Sequence, residues 1–480
     1  MSFAIHFYWR DFMTSIWKKL LRRNGCYGTK HKETREAHVT NAKELVSTIQ
    51  VQPSKGLSGR LLPPSSKYHT LRYILAAFLA NGESVVKYPA LSDDTTVLLQ
   101  ACRDLGARIE EQEQEDGRLI LRVQGTGGVL RTPPAGQINM GNAGAVARLL
   151  LGICALSPQA ITLTTPYPES LGRRPNADLL AALKQLGVDV TRATPEGTLP
   201  VTLTGKSLHG GPVTISGRKS SQYLSALLFL GPLLTEGLEI EVIDGLTSAS
   251  FVDLTIGILA TAGITVHTRV QHQRYAIPGG QQYRAGIYTI PGDYPSAAAL
   301  LGAVAVAGGE ITLSNLATDD PGGAAVLDAF TAMGVEITRR GQEITARVTK
   351  PLQGITLDGN RVIDSVPVIA AAACFARTPS HIYNVANLHL KESDRIQDLA
   401  DELNKLGCRV TPLPDAIKIE PVGPGTIHGG VEVEAHADHR LIQALTIAAL
   451  GSREPVTLRH AQHIAKSYPH FFADLATLSQ

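Results

Sequence analysis

Leu105-Gly106-Ala107-Arg108-Ile109 reads as a helix end turning directly into a strand. The apolar residue closes the last turn, the glycine supplies the left-handed backbone that ends a helix, and alternating side chains begin at once. The phrase returns as Leu186-Gly187-Val188-Asp189-Val190, Ala262-Gly263-Ile264-Thr265-Val266, Met333-Gly334-Val335-Glu336-Ile337 and Leu406-Gly407-Cys408-Arg409-Val410. One copy is a common junction; five copies at roughly 70–80-residue spacing form a repeat. Each strand leads through a polar turn into a second alternating run, such as Gly117-Arg118-Leu119-Ile120-Leu121-Arg122-Val123. The predicted unit is a strand–helix pair closed by a hairpin, large enough to fold around its own small core. The fold class is therefore mixed α/β.

Between the hairpins lie Ala- and Leu-rich helices: Leu71 to Leu79, Ala143 to Leu156, Gln222 to Leu234, Ala297 to Val306, Val368 to Phe375 and Leu441 to Leu450. They are apolar nearly all round, as helices inside a domain are. Their few polar residues gather at the N-terminal ends.

Composition narrows the function classes. The 480 residues suffice for two or three domains. Apolar residues at 44% against charged residues at 18% allow a large core and argue against disorder. Lys+Arg at 45 against Asp+Glu at 43 leaves +2, which excludes a strongly basic nucleic-acid surface. No uncharged apolar window reaches the ~18 residues that a membrane helix needs. Cys26, Cys102, Cys154, Cys374 and Cys408 show no CxxC or Cys/His spacing, which fits a reducing, cytoplasmic setting and no metal site. Residues 1–46 stand apart, with aromatics from Phe3 to Trp17 and a basic run from Lys18 to Lys32. They read as an appended extension, disordered or partly helical. A cleaved leader is disfavoured, because no clean apolar segment precedes a small-residue cleavage site.

The chemistry gathers at the helix starts. In Gly141-Asn142-Ala143-Gly144-Ala145-Val146-Ala147-Arg148 an extended run enters a small-residue turn and then a buried helix. Glycine allows close approach, and free N–H groups at a helix N-terminus favour an anion. Ser65-Ser66-Lys67, with Arg72 further along, leads the first buried helix; Lys219-Ser220-Ser221-Gln222, Gly292-Asp293 and Asp364-Ser365 lead others. Lys391-Glu392-Ser393-Asp394-Arg395 is expected to open a polar helix with Lys391 and Arg395 on one face, and Asp438-His439-Arg440 opens the last. Helix dipoles converging with Lys67, Arg72, Arg174, Lys391, Arg395, Arg440 and Lys466 would make a cleft for a polyanion. Each residue also has a plainer reading. An isolated Lys or Arg is usually a solvated surface residue; Asp364 could be an N-cap, Glu392 a first-turn acid, and Arg148 half of a structural ion pair.

Taken in order, these segments resemble the enolpyruvyl transferase family, with its EPSP synthase branch nearest. The resemblance runs from about Ile49 to the C-terminus and rests on Gly141-Asn142-Ala143-Gly144 with Arg148, Arg174-Pro175, Ser220-Ser221-Gln222, Leu390-Lys391-Glu392-Ser393-Asp394-Arg395, Asp438-His439-Arg440 and Ala465-Lys466-Ser467. It implies a two-domain inside-out α/β barrel, each domain holding three βαβαββ units around parallel buried helices. Domain I would comprise 47–64 and 291–480, domain II 65–290, with crossings near Pro64 and Ile290-Pro291.

The resemblance further implies transfer of the enolpyruvyl group of phosphoenolpyruvate to the 5-hydroxyl of shikimate 3-phosphate. Phosphate leaves through a tetrahedral ketal, without metal or cofactor, nucleic-acid or membrane partner, and a monomer is expected. Asp364 would be the general base. Glu392, or else Lys67, would handle the proton at the methylene carbon. Lys67, Arg72, Ser220, Ser221, Gln222, Ser248, Asp364, Asn387 and Lys391 would meet shikimate 3-phosphate. Lys67, Gly144, Arg174, Gln222, Arg395, Arg440 and Lys466 would meet phosphoenolpyruvate.

The chain departs from the family pattern at Tyr68, where a small hydroxyl residue is usual, at Ala145 for threonine, at Phe251 for tyrosine, and at Tyr294-Pro295, which interrupts a Gly-Asp-x-Ser-Ser run. These departures touch the acceptor side. They motivate a second reading, an enolpyruvyl transferase of secondary metabolism with another alcohol acceptor. A UDP-sugar acceptor is disfavoured, because no cysteine lies between Thr164 and Arg174. A non-catalytic anion-binding relative is disfavoured by the presence of Lys67, Asp364 and Glu392.

Overall fold

The computed structural model describes residues 48–422 and 425–479; the expectations for residues 1–46 lie outside them. All five repeat glycines take left-handed backbone, with φ of 117° at Gly106, 80° at Gly187, 79° at Gly263, 95° at Gly334 and 97° at Gly407. Each precedes a strand that closes an antiparallel hairpin with the next strand in the chain, for example Arg108–Glu113 with Leu119–Gln124.

The five phrases correspond to five four-stranded sheets with one shared plan. In four of them the first two strands in the chain pair in parallel, and the hairpin adds two antiparallel strands; in the fifth, Glu83–Lys87 takes its parallel neighbour from Ile287–Thr289, some 200 residues later. A sixth sheet escapes the sequence pattern. It has three strands, with Glu432–Glu434 parallel to Val456–Arg459 and the N-terminal Thr48–Val51 antiparallel on the other side. The chain's start thus supplies a strand that the local sequence near the C-terminus lacks.

Six helices line the inside of the sheets: α1 (Lys67–Leu79), α2 (Gly144–Cys154), α3 (Ser221–Leu230), α4 (Tyr294–Ala307), α5 (Val366–Ala373) and α6 (His439–Leu450). Their faces are buried almost all round, which accounts for the missing polar stripe. Side chains of α1, α2 and α3 belong to one apolar core, built from residues 71–290. Those of α4, α5 and α6 belong to another, built from Val51, Leu57 and residues 294–478. The chain passes between the cores twice, and the two passages run side by side: Ser66 N donates to Pro291 O at 2.7 Å and Asp293 N to Pro64 O at 2.8 Å.

Side-chain caps hold four of the six helix starts: Ser66 for α1, Ser220 for α3, Asp293 for α4 and Asp438 for α6. No side chain caps α2 or α5. The helix expected at Lys391 begins only at Gln397. Asp394 accepts from Ile396 N and Gln397 N, so it fixes the start there, and Lys391 to Arg395 form an irregular approach.

Candidate active site

Five of the six buried helices bring residues at or just before their starts to one solvent-open cavity of about 860 Å³. Lys67 and Tyr68 come from α1, Gly144 and Ala145 from α2, Ser220 to Tyr223 from the start of α3, Asp364 from the residues before α5, and His439 from α6. Connecting segments add Arg174, Thr247, Ser248, Asn387, Lys391, Glu392, Arg395 and Lys466. Helix α4 is the exception; its Tyr294 and Pro295 line a neighbouring cavity.

Gly144 shows why the loop is glycine-rich. A Cβ there would come within 2.6 Å of Arg174 Nη1, so the uncapped start of α2 and this guanidinium can touch only because no side chain intervenes. Arg174 Nε is buried without a hydrogen-bond partner, a donor left for a ligand.

Arg395 is the centre of the site's electrostatics. It is 1% exposed and donates Nε to Asp438 Oδ2 at 2.7 Å, Nη1 to Asp364 Oδ1 at 3.1 Å and Nη2 to Glu392 Oε2 at 2.8 Å. Glu392 also pairs with Lys466 at 2.8 Å and Arg174 at 3.3 Å. Burial opposes its charge, but Lys466, Arg174 and Arg395 outweigh that and hold its carboxyl well below the usual range. Asp364 takes Lys391 at 3.5 Å on Oδ1 and the Tyr68 hydroxyl on Oδ2. Here too burial is outweighed, by Lys391, Arg395 and Arg440, so the carboxyl is far more acidic than usual. Asp364 caps nothing; Ser365 stands at the N-cap, without a side-chain bond. Glu392 lies outside any helix. The plainer readings of both carboxylates therefore fail.

Lys67 Nζ pairs with Asp94 Oδ2 at 3.1 Å. The Thr247-Ser248 turn is clasped from the other core: Asn360 Oδ1 accepts from Ser248 N at 2.5 Å, and Asn387 Nδ2 donates to Thr247 Oγ1 at 2.7 Å. Ser248 has φ 52°, a strained left-handed conformation that this clasp sustains. Arg148 has no carboxylate partner among the described residues and donates to Gln222 Oε1 at 2.9 Å, so it orients Gln222. Burial first, then the charge of Arg440, keeps His439 neutral, its pKa well below the usual range.

Two of the expected contact residues do not line the cavity. Arg72 is 3% exposed and lies behind Tyr68 and Phe251; Arg440 is fully buried and donates Nη1 to Gln443 at 3.0 Å. Asp94 and Thr247, which do line it, carry no distinguishing sequence signal, since an acid in a first helical turn and a threonine in a turn are ordinary.

A model of the EPSP synthase (3-phosphoshikimate 1-carboxyvinyltransferase) family matches residues 51–475. The chain belongs to the EPSP synthase family. It is 41% identical to the 3-phosphoshikimate 1-carboxyvinyltransferase of Deinococcus radiodurans, over 90% of this chain and 95% of that one. It is 36% identical to the protein of the same name from Methanothermobacter thermautotrophicus, over 88% and 96%. Among solved structures, an EPSP synthase from Acinetobacter baumannii superposes with a TM-score of 0.76 at 26% identity, over 90% and 98% of the two chains. The enolpyruvyl transferase NikO from Streptomyces tendae, at TM-score 0.69 and 20% identity over 89% and 96%, shares the fold. The α/β architecture expected from the repeats is that of the Acinetobacter baumannii EPSP synthase.

Proposed function

We propose that this EPSP synthase family chain transfers the enolpyruvyl group of phosphoenolpyruvate to the 5-hydroxyl of shikimate 3-phosphate, releasing phosphate. The observation that carries the reading is one guanidinium, Arg395, shared by the buried Asp364 carboxylate and the part-buried Glu392 carboxylate. Enolpyruvyl transfer needs two proton movements at neighbouring atoms. The acceptor hydroxyl loses a proton as its oxygen attacks the enol carbon, and the methylene carbon gains one. Asp364 takes the first and Glu392 supplies the second, with Lys67 beside them. The resulting ketal collapses when the new methyl returns its proton and phosphate leaves. Developing charge is met by preorganised cations.

Charge balance supports the pairing. The lining holds seven cations (Lys67, Arg148, Arg174, Lys219, Lys391, Arg395, Lys466) and three carboxylates (Asp94, Asp364, Glu392), so 7 − 3 leaves four positive charges. Two substrates, each with a carboxylate and a phosphate, bring roughly five to six negative charges. In this reading the donor anions meet Gly144, Arg174, Arg395 and Lys466. The acceptor meets Ser220, Ser221, Ser248, Asn387 and Lys391, with Gln222 between them. Arg440 acts from behind, through its field on Asp364. Arg72 would serve the acceptor's carboxylate only from behind Tyr68 and Phe251.

We further infer two domains, 47–64 with 291–480 and 65–290, working as a cytoplasmic monomer. The separate cores support the domain bounds, and the four free, buried cysteines among the described residues support a reducing compartment. The Tyr68–Phe251 wall, with the departures at Ala145 and Tyr294-Pro295, favours a different acceptor, whereas the relatives' shared name favours shikimate 3-phosphate. Phosphate release from phosphoenolpyruvate, measured with shikimate 3-phosphate and with other hydroxylated phosphates, tests both. Turnover with shikimate 3-phosphate supports the proposal; turnover only with another acceptor, or none, overturns it.

A further inference from the structure

The catalytic cavity has a neighbour. A smaller, mainly apolar cavity, with Leu254, Tyr294, Pro295 and Val326 in its walls, meets it at Tyr68, Phe251 and Asp364, which line both. The rings of Tyr68 and Phe251 lie 4.4 Å apart at 37° and form the partition. Lys67 Nζ is 5.7 Å from the Tyr68 ring centre, and the Arg72 guanidinium is 6.0 Å from the Phe251 ring centre.

Arg72 is buried on neutral oxygens. It donates Nε to Thr255 Oγ1 at 2.7 Å, Nη1 to Tyr68 O at 3.1 Å and Nη2 to Phe251 O at 3.4 Å. No carboxylate among the described residues forms an ion pair with it, and burial brings its pKa down to about 10. Its guanidinium therefore lies buried beside the ring pair, lining neither cavity.

The Tyr68 hydroxyl does separate work. An ionised carboxylate has two oxygens; held through one it can still pivot, and a bond on the second fixes its rotation. At Asp364, Arg395 and Lys391 share Oδ1, while the phenol donates to Oδ2 from α1. The groups facing Asp364 are thus Lys391, Arg395, Arg440 and Tyr68. Those facing the phenol, besides Asp364, are Arg440 and Asp293.

We propose that Tyr68 is a positioning and specificity residue for the acceptor step: its hydroxyl fixes the Asp364 carboxylate, and its ring, with Phe251, closes the acceptor pocket against Arg72. The proposal rests on the reading of Asp364 as the acceptor base. It separates two tasks within one side chain, and two substitutions take them apart.

The test is steady-state kinetics of the full-length enzyme across pH for Tyr68→Phe and Tyr68→Ser, with Asp364→Asn as the control. Tyr68→Phe keeps the wall and loses the bond. Its kcat should fall about tenfold, with both KM values within about twofold, for loss of a charge-assisted hydrogen bond. The acid limb of its kcat profile should move up, because a donor that favours the ionised carboxylate is gone. Tyr68→Ser also opens the wall; its KM for the acceptor should fall about tenfold as Arg72 becomes reachable, with the donor KM unchanged. Wild-type kcat and pH profile in Tyr68→Phe, or an unchanged acceptor KM in folded Tyr68→Ser, overturns the proposal. Full activity in Asp364→Asn overturns the reading beneath it. An inactive Asp364→Asn beside a wild-type-like Tyr68→Phe overturns the role of Tyr68 alone. Should Tyr68→Ser not fold, Phe251→Ala removes the same wall from the opposite side and carries the same expectation.

Discussion

Replacing Glu392 by glutamine should make the enzyme bind phosphate more tightly while it loses turnover. Glu392 is an internal anion among the cations of the site. Lys466 at 2.8 Å, Arg395 at 2.8 Å and Arg174 at 3.3 Å all spend charge on it. Those are the cations assigned to the donor, so the donor competes with Glu392 for them. Its side chain is only 13% exposed, so water screens little of this. A charge-assisted contact is worth about 1.5–3 kcal/mol, so freeing one such contact predicts about ten- to 150-fold tighter binding of inorganic phosphate. A Coulomb check agrees in scale: like charges ~4 Å apart at an effective dielectric near 20 repel by about 4 kcal/mol. With the donor's phosphate bound, wild-type protein would escape part of that repulsion by protonating Glu392, which would also load the proton for the methylene carbon. Titration calorimetry in two buffers of different ionisation enthalpy should show more proton uptake on phosphate binding by the wild type than by Glu392→Gln. Equal or weaker phosphate binding by Glu392→Gln, or equal proton uptake in both, would refute the reasoning.

Lys391→Ala should raise the acceptor KM about ten- to 150-fold with little change in stability, since its side chain sits at the cavity edge, 25% exposed. Arg440→Ala should instead lower the melting temperature, because a fully buried side chain is deleted from α6 and Gln443 loses its partner. Stability should also fall steeply in acid. His439 is held neutral, below its ordinary value of 6.5, so protons favour the unfolded chain below that pH. Glu392 and Asp364 are held below 4.5 and 3.8, so their contribution is complete above those values and is lost as pH falls through the lowered ones. Thermal melts from pH 7 to 3 should therefore fall more steeply in wild type than in an Asp364→Asn/Glu392→Gln double variant.

Much of this was legible in the residues. Five glycines with left-handed backbone gave five sheets, because a helix end followed by a strand is a local event. The sixth sheet was hidden because its third strand, Thr48–Val51, lies some 400 positions from its partner. Helix starts were legible from Ser66, Ser220 and Asp438, which cap as their residue type suggests. Side-chain direction on an apolar helix was not. Arg72 lies five residues after Lys67, which at about 100° per residue puts it about 140° around the helix. His439 and Arg440, adjacent in sequence, likewise face differently. The segment from Lys391 to Arg395 kept its chemistry without the expected helix, since both cations reach Asp364 Oδ1 from an irregular stretch.

The most direct measurement is a crystal structure of Asp364→Asn with phosphoenolpyruvate and shikimate 3-phosphate bound. The account predicts the donor phosphate within hydrogen-bond distance of Arg174, Arg395 and Lys466, and the acceptor phosphate on Ser220, Ser221 and Ser248. Either ligand seated away from that collar, with its cations still paired to Glu392, would contradict it.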